Sequence, residues 1–268
     1  MRYKIYKREK KNETAGGSYW RGADFKEHLK LTSFQTTYIY LLNNFPPPKK
    51  ILEAGCGLGR WVIPLSEKNY DVTGIEIEEE AINTIKKNYN ADNLNLVNGN
   101  IFNMKFADKT FDLILSLGVL EHFEDEAVQK KAILEHIRVL KDEGTFLITV
   151  PNLSLLRFII HLPYTILLSF VRLLKRKKQY FAEYRYTTKE FKKNLEKCGL
   201  KIVDVVYDEL LPPYNFGLIV DYPINRLFRS TDGIEYKMNK TGNMLFKFLW
   251  KINPKLVSGG TGYVCRKK

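Results

Sequence analysis

The sequence predicts an α/β domain: a mostly parallel seven-stranded sheet with an antiparallel last strand and helices on both faces. Three observations predict it. Short apolar runs alternate with amphipathic stretches from Lys50 onward, the pattern of strand–helix–strand units with helices on either side of a sheet. A turn with glycines at alternate positions follows the first of those runs, at the strand end where open α/β sheets take their ligands. The connections are short, as at 141–144 between a helix and the next strand, which suits such units.

The apolar runs predict strands at 51–54, 72–75, 94–97, 111–116, 145–150, 201–207 and 262–266. Helical periodicity fills most of the gaps, at 61–68, 79–88, 127–140 and 189–198, the last with Thr188 as its N-cap and Phe191 and Leu195 on one face. No simple right-handed helical crossover is visible in 208–260, so the last strand is expected to insert antiparallel. The chain then divides into a basic arm with cap helices at 1–48, a ligand-binding core at 49–151, an apolar and basic lid at 152–180, more core at 181–207, a second insertion at 208–260 and the last strand at 261–268.

With 268 residues, 44% of them hydrophobic, the chain can bury a core, and disorder is excluded as its main state. Cys56, Cys198 and Cys265 are an odd number with no C-x-x-C pair, which argues against a disulfide framework and a structural zinc site and points to a reducing cytosol. No residues have metal-ligand spacing. The basic start is followed by no apolar signal segment, so a cytoplasmic location is expected.

The net charge of +13 is uneven. Residues 1–11 hold six basic side chains and one acid, 172–201 eleven and three, 202–268 ten and six, which leaves 12–171 at −4. An acidic middle between basic segments attracts something anionic, a membrane surface or nucleic acid, unless these lysines are only solvated faces. The apolar stretch 153–174 runs directly into Lys175, Arg176, Lys177 and Lys178. Its charge-free part, 158–171, spans about 21 Å as a helix against a hydrocarbon core of about 30 Å, and it contains Pro163. It is too short to cross. It reads as an interfacial hairpin or lid, the alternative being a helix pair that caps the protein's own core. A second apolar and basic segment lies at 243–252. Together 153–178 and 243–252 would rest the protein on an anionic bilayer, peripheral on the inner face of the membrane, and collect a lipophilic substrate.

The chemistry concentrates after the first predicted strand. Glu53 ends an apolar run, then Gly55, Cys56, Gly57 and Gly59 precede a helix. Glycines there permit positive φ and let a ligand lie against the main chain. A dinucleotide fingerprint would need a sixth-position glycine where Arg60 stands. A bare tight turn would need no ligand. The next strand ends in Glu76, before Ile77, and a carboxylate at that place can accept both hydroxyls of a ribose. The other reading is an acid favoured by the helix dipole.

These residues resemble the class I S-adenosylmethionine-dependent methyltransferases, with specificity over about 49–151 and more loosely over 184–207 and the last strand. The resemblance implies their Rossmann-like sheet order and S-adenosylmethionine as cofactor. It also implies that the turn from Glu53 to Gly59 wraps the methionine part and Glu76 holds the ribose. Asn100 and Ile101 fall where the family lines the adenine. The family's usual aspartate there is Asn100 here, whose amide can still accept from the adenine amino group. Leu117 and Gly118 match the loop that lines the cofactor near the sulfonium. The run Leu120, Glu121, His122, Phe123 resembles branches acting on small molecules and on quinone or other lipid-like acceptors.

A sulfonium is an activated methyl donor, so the protein's task is to align an acceptor, exclude water and, for a hydroxyl, accept a proton. His122 is the candidate general base, with Glu121 orienting it or contacting substrate; the pair could equally only cap a helix and line the cofactor. Tyr19 and Trp20, after a glycine pair, and Tyr184 and Tyr186 are candidates for the substrate lid. The expected reaction is methyl transfer to oxygen or carbon of a small or lipid-like acceptor. The rival readings are an RNA methyltransferase whose basic arms grip phosphates, and a module that binds the cofactor without transferring its methyl group.

Overall fold

The computed structural model describes residues 2–7, 25–153, 180–215, 217, 227–231 and 236–268. Its strands are β1 (Arg2–Lys7), β2 (Lys50–Ala54), β3 (Asp71–Glu76), β4 (Leu94–Asn98), β5 (Phe111–Leu117), β6 (Leu140–Pro151), β7 (Tyr180–Tyr186), β8 (Leu200–Asp208) and β9 (Gly260–Lys267). Its α-helices are α1 (Phe25–Thr32), α2 (Thr36–Asn44), α3 (Val62–Ser66), α4 (Glu79–Asn88), α5 (Glu126–Val139), α6 (Thr188–Lys197) and α7 (Lys240–Ile252).

Seven strands pair in the order β4-β3-β2-β5-β6-β9-β8. Pairing from β4 across to β6 is parallel, and β9 is antiparallel to both β6 and β8. All seven strands expected from the apolar runs are present, and the last is inserted antiparallel as the missing crossover implied.

Successive side chains of a strand point to opposite faces, so the central strands feed two cores. Leu52, Ile114, Phe146 and Ile148 pack on one side with α5 and α6 residues such as Ile133 and Phe191. Ile51, Leu113, Leu115 and Leu147 pack on the other with Tyr38 and Leu41 of α2 and with Val62 and Ile85. At about 25 cal/mol per Å² of buried apolar surface, this two-sided burial is the main stabilising term.

Three local expectations are corrected. The connector expected at 141–144 is an irregular stretch within β6, where the register with β5 shifts between Phe111 and Leu113. A Cβ on Gly144 would lie 2.6 Å from Leu140 Cδ1, so glycine is what lets the chain bend there. The N-cap of α6 is Thr187, not Thr188, and it makes no side-chain capping bond; the Thr188 hydroxyl is buried without a partner. The basic arm contains a strand: β1 pairs antiparallel with β7 in a separate two-stranded sheet. The Arg2 guanidinium sits 4.5 Å over the Tyr184 ring and pairs with Glu126, and Lys4 pairs with Glu124 at 2.8 Å. Alternating residues in Arg2–Lys7 carry a period-2 signal that its charge obscures.

Both insertions leave the sheet at one edge. Pro151 and Asp208 each pair with Gly260, so the chain departs after β6 and β8 and returns into β9 at the carboxyl ends of the parallel strands. The lid expected at 152–180 lies outside the described residues from 154 to 179. Among the described residues no helix is long and apolar enough to cross a membrane.

Candidate active site

The chain proceeds from β2 outward to β3 and β4 on one side and continues to β5 and β6 on the other, so the crevice between the ends of β2 and β5 is the topological switch point where such sheets bind ligands. Two turns flank it. After β2, Gly55, Gly57 and Gly59 have φ of 84°, 51° and 79°, and after β5 Gly118 has φ of 71°, conformations that glycine alone adopts without cost. A Cβ on Gly55 would lie 2.7 Å from Val119 Cγ2. The two turns therefore touch backbone to side chain, and nothing larger than glycine fits between them.

The glycine turn is tied down from below. Gly55 and Cys56 donate their N–H groups to the Ile75 carbonyl at 2.8 and 3.1 Å. Glu76, at the end of β3, accepts from the Gly57 N–H at 2.9 Å through Oε2, and from Ile77 and Glu78 at 2.8 and 3.1 Å through Oε1. Its carboxylate is thus beside the turn, at its base. Glu53 turns inward: it is buried, accepts the Val62 N–H at 3.1 Å, and burial holds its carboxyl well above the usual range. Cys56 packs its sulfur against Gly74, where an added Cβ would come within 2.9 Å, and burial raises its thiol. It is a small core residue and not a nucleophile.

Beyond β3, Ile77 is 65% exposed at the rim, while Ile101, after β4, is buried. Asn100 uses its side-chain oxygen to accept the Phe102 N–H at 2.9 Å, which shapes the turn after β4. Leu117 is half-buried and Gly118 exposed at the other lip.

The expected pair His122 and Glu121 is split by the 3-10 turn Leu120–His122 that carries both. His122 is exposed, its Nδ1 2.8 Å from the Ala182 carbonyl of β7, so that nitrogen carries the proton and the ring is held at the outer surface. Glu121 points inward, 3% exposed, with Oε2 lacking any partner, and burial with Glu183 nearby pushes its carboxyl up to about 8. The two side chains share no bond, so Glu121 does not orient His122. Of the two, Glu121 is the one that faces inward.

Tyr184 and Tyr186 are also displaced from the expected lid. Both are 1% exposed in the core; the Tyr184 hydroxyl donates to the Glu124 carbonyl at 2.9 Å and the Tyr186 hydroxyl donates to Gln129 Oε1 at 3.1 Å and accepts from its Nε2 at 2.8 Å. They brace β7 behind the Glu121 turn. Tyr19 and Trp20 lie outside the described residues.

One cluster escaped the sequence reading. Arg60, half-buried beside the glycine turn, donates to Gln35 and has its Nε buried without a partner. Burial pulls its guanidinium down, opposed by Asp208. Asp208 accepts from Gln35 Nε2 at 2.9 Å and from Thr37. The only sequence signal was a departure from a glycine fingerprint at Arg60; Gln35 and Asp208 come from 25 residues before and 148 after it, and only folding brings them together.

Residues 52–148 match the family described as Methyltransferase domain. A probable S-adenosylmethionine-dependent methyltransferase of Mycolicibacterium smegmatis is 28% identical over 104 residues, 39% of this chain and 38% of that protein. A demethylmenaquinone methyltransferase of Staphylococcus aureus is 34% identical over 99 residues, 35% and 40% of the two chains. The chain spans less than half the length of these curated relatives. Among solved structures, a Burkholderia thailandensis 1,6-didemethyltoxoflavin-N1-methyltransferase with bound S-adenosylhomocysteine superposes with TM-score 0.56 at 13% identity, covering 99% of this chain and 96% of that one. Its likeness is one of fold. The residues present fit that nucleoside: a backbone turn with no room for side chains, a carboxylate at the second strand's end and an exposed isoleucine beside it. Residues 52–148 thus match a methyltransferase domain, on a Rossmann-like sheet, and the M. smegmatis relative they resemble is named as dependent on S-adenosylmethionine.

Proposed function

We propose that the protein transfers a methyl group from S-adenosylmethionine to oxygen or carbon of a small or lipid-like acceptor, at the cytoplasmic surface of a membrane. When bound, the cofactor supplies a methyl group already activated on a sulfonium. Glu76 would accept one ribose hydroxyl while keeping the Gly57 N–H, since each carboxylate oxygen has two acceptor positions and one on Oε2 is still open once Oε1 has taken the Ile77 and Glu78 N–H groups. Ile77 and Ile101 would cover the adenine faces, and the turn from Gly55 to Gly59 would take the methionine part against bare backbone.

The observation that carries the reading is Glu121. A fully buried carboxyl with an unpartnered oxygen, on the opposite lip of the switch point from Glu76, is costly unless a ligand completes it. Below about pH 8 it is protonated and can donate a hydrogen bond to an acceptor's oxygen, fixing that atom in the crevice. Ionised, it can take the proton of a hydroxyl acceptor as the O–methyl bond forms. An acceptor of lipid-like character suits the apolar composition of 153–174, and the name of the S. aureus relative points the same way.

Radiolabelled cofactor incubated with the protein and fractionated lipid, RNA and small-molecule pools tests this directly. Label in a lipid or small-molecule fraction, lost in Glu121→Ala, supports the proposal; label in RNA alone replaces it with the nucleic-acid reading.

A further inference from the structure

Helix α7 shows three faces. Gly242 and Phe246 are buried against Met238 and Val257. Met244, Phe248 and Ile252 are 65%, 63% and 60% exposed. Their spacing of four places them on one stripe, with Phe248 about 160° around the helix from Phe246. Lys240, Lys247 and Lys251, all exposed, fall within about 40° of one another and about 80° from Phe248. The helix has no acidic residue. Leu227, also 65% exposed, adjoins its start, where Asn239 donates to the Leu227 carbonyl at 2.8 Å.

An exposed apolar stripe alone would leave its cover unspecified. Charge decides it here. Lysines alongside the stripe and a net charge of +13 disfavour a second copy of the chain on this face, because like charges would meet. A convex helix with long apolar side chains and flanking lysines matches a flat layer that is apolar within and anionic at its surface. The 209–259 segment that carries α7 hangs from the carboxyl edge of the sheet, the edge that also holds the glycine turn and Glu121.

We infer that α7 docks the protein on an anionic lipid bilayer, laying Met244, Phe248 and Ile252 into the acyl boundary with Lys240, Lys247 and Lys251 among the headgroup phosphates. The inference deepens the lipid-like acceptor reading, because docking there brings the open edge of the sheet to the membrane. It rests on the surface of α7 and stands or falls separately from methyl transfer.

The test is flotation of the full chain with vesicles of phosphatidylcholine alone or mixed with phosphatidylglycerol. The expected result is flotation with the mixed vesicles, weakened at least about tenfold by Met244→Ser/Phe248→Ser/Ile252→Ser. Lys240→Gln/Lys247→Gln/Lys251→Gln should remove the preference for phosphatidylglycerol and most of the salt dependence. All six side chains are exposed, so the variants should fold; S-adenosylhomocysteine binding, measured on the same samples, reports the fold and the cofactor reading independently of docking. Phe248→Trp should be quenched by brominated acyl chains. Equal flotation of the triple serine variant, no flotation of the parent chain, or a lipid-free dimer that this variant dissociates would each overturn the inference.

Discussion

Glu76 and Gly57, nineteen residues apart, are joined by a hydrogen bond of 2.9 Å from the Gly57 N–H to the Glu76 carboxylate. The bond ties the end of β3 to the turn after β2, so the group that would hold the sugar also fixes the backbone that would cradle the rest of the nucleoside. Preorganisation of this kind lowers the ordering cost of binding.

The tightness of that turn predicts the effect of Gly55→Ala. The new Cβ would meet Val119 Cγ2 at 2.7 Å on a backbone with φ of 84°. Strain and overpacking of this kind cost about 1–3 kcal/mol each. Urea unfolding should show a loss of about 2–6 kcal/mol from the two together, with cofactor affinity reduced as well. Adding Val119→Ala should recover the steric part only, because the positive φ remains.

Glu121 predicts a stability that falls with rising pH. Its folded-state carboxyl is raised to about 8 from the ordinary glutamate value of 4.5, so the folded chain holds a proton that the unfolded chain releases between those values. The contribution is full below about pH 4.5 and is lost as pH rises through 8, at most about 5 kcal/mol in all. Glu121→Gln cannot ionise. Its melting temperature should gain on the parent progressively from pH 5 to pH 8, and a constant difference would contradict the assignment.

His136 predicts the opposite slope on the acid side. It is fully buried, stacks on Phe146 at 5.0 Å between ring centres, and burial lowers it to about 4 from 6.5. Stability from keeping it neutral is present above pH 6.5 and is lost as pH falls through 4, about 3 kcal/mol at most. His136→Phe should therefore gain on the parent between pH 6.5 and pH 4 in the same melting experiment.

The seven core strands were legible because each is a buried apolar run, and burial is what periodicity records. The glycine turn and Glu76 were legible because their chemistry is local, a few residues at a strand end. The orientation of the 120–122 turn was not. Whether Glu121 or His122 faces inward depends on β7, sixty residues later, which takes His122 through the Ala182 carbonyl. Tyr184 and Tyr186 were misread for a related reason: their place in a strand depends on pairing with Arg2–Lys7 at the far end of the chain. Arg60, Gln35 and Asp208 likewise meet only through tertiary contact.

The most direct measurement is calorimetric titration of S-adenosylhomocysteine into the parent protein and into Glu76→Ala. Hydrogen bonds to a carboxylate contribute about 1.5–3 kcal/mol each, so saturable binding by the parent and a loss of at least about tenfold in the variant is the predicted result. No binding by the parent, or equal affinity in both, would contradict a nucleoside seated between Glu76 and the glycine turn.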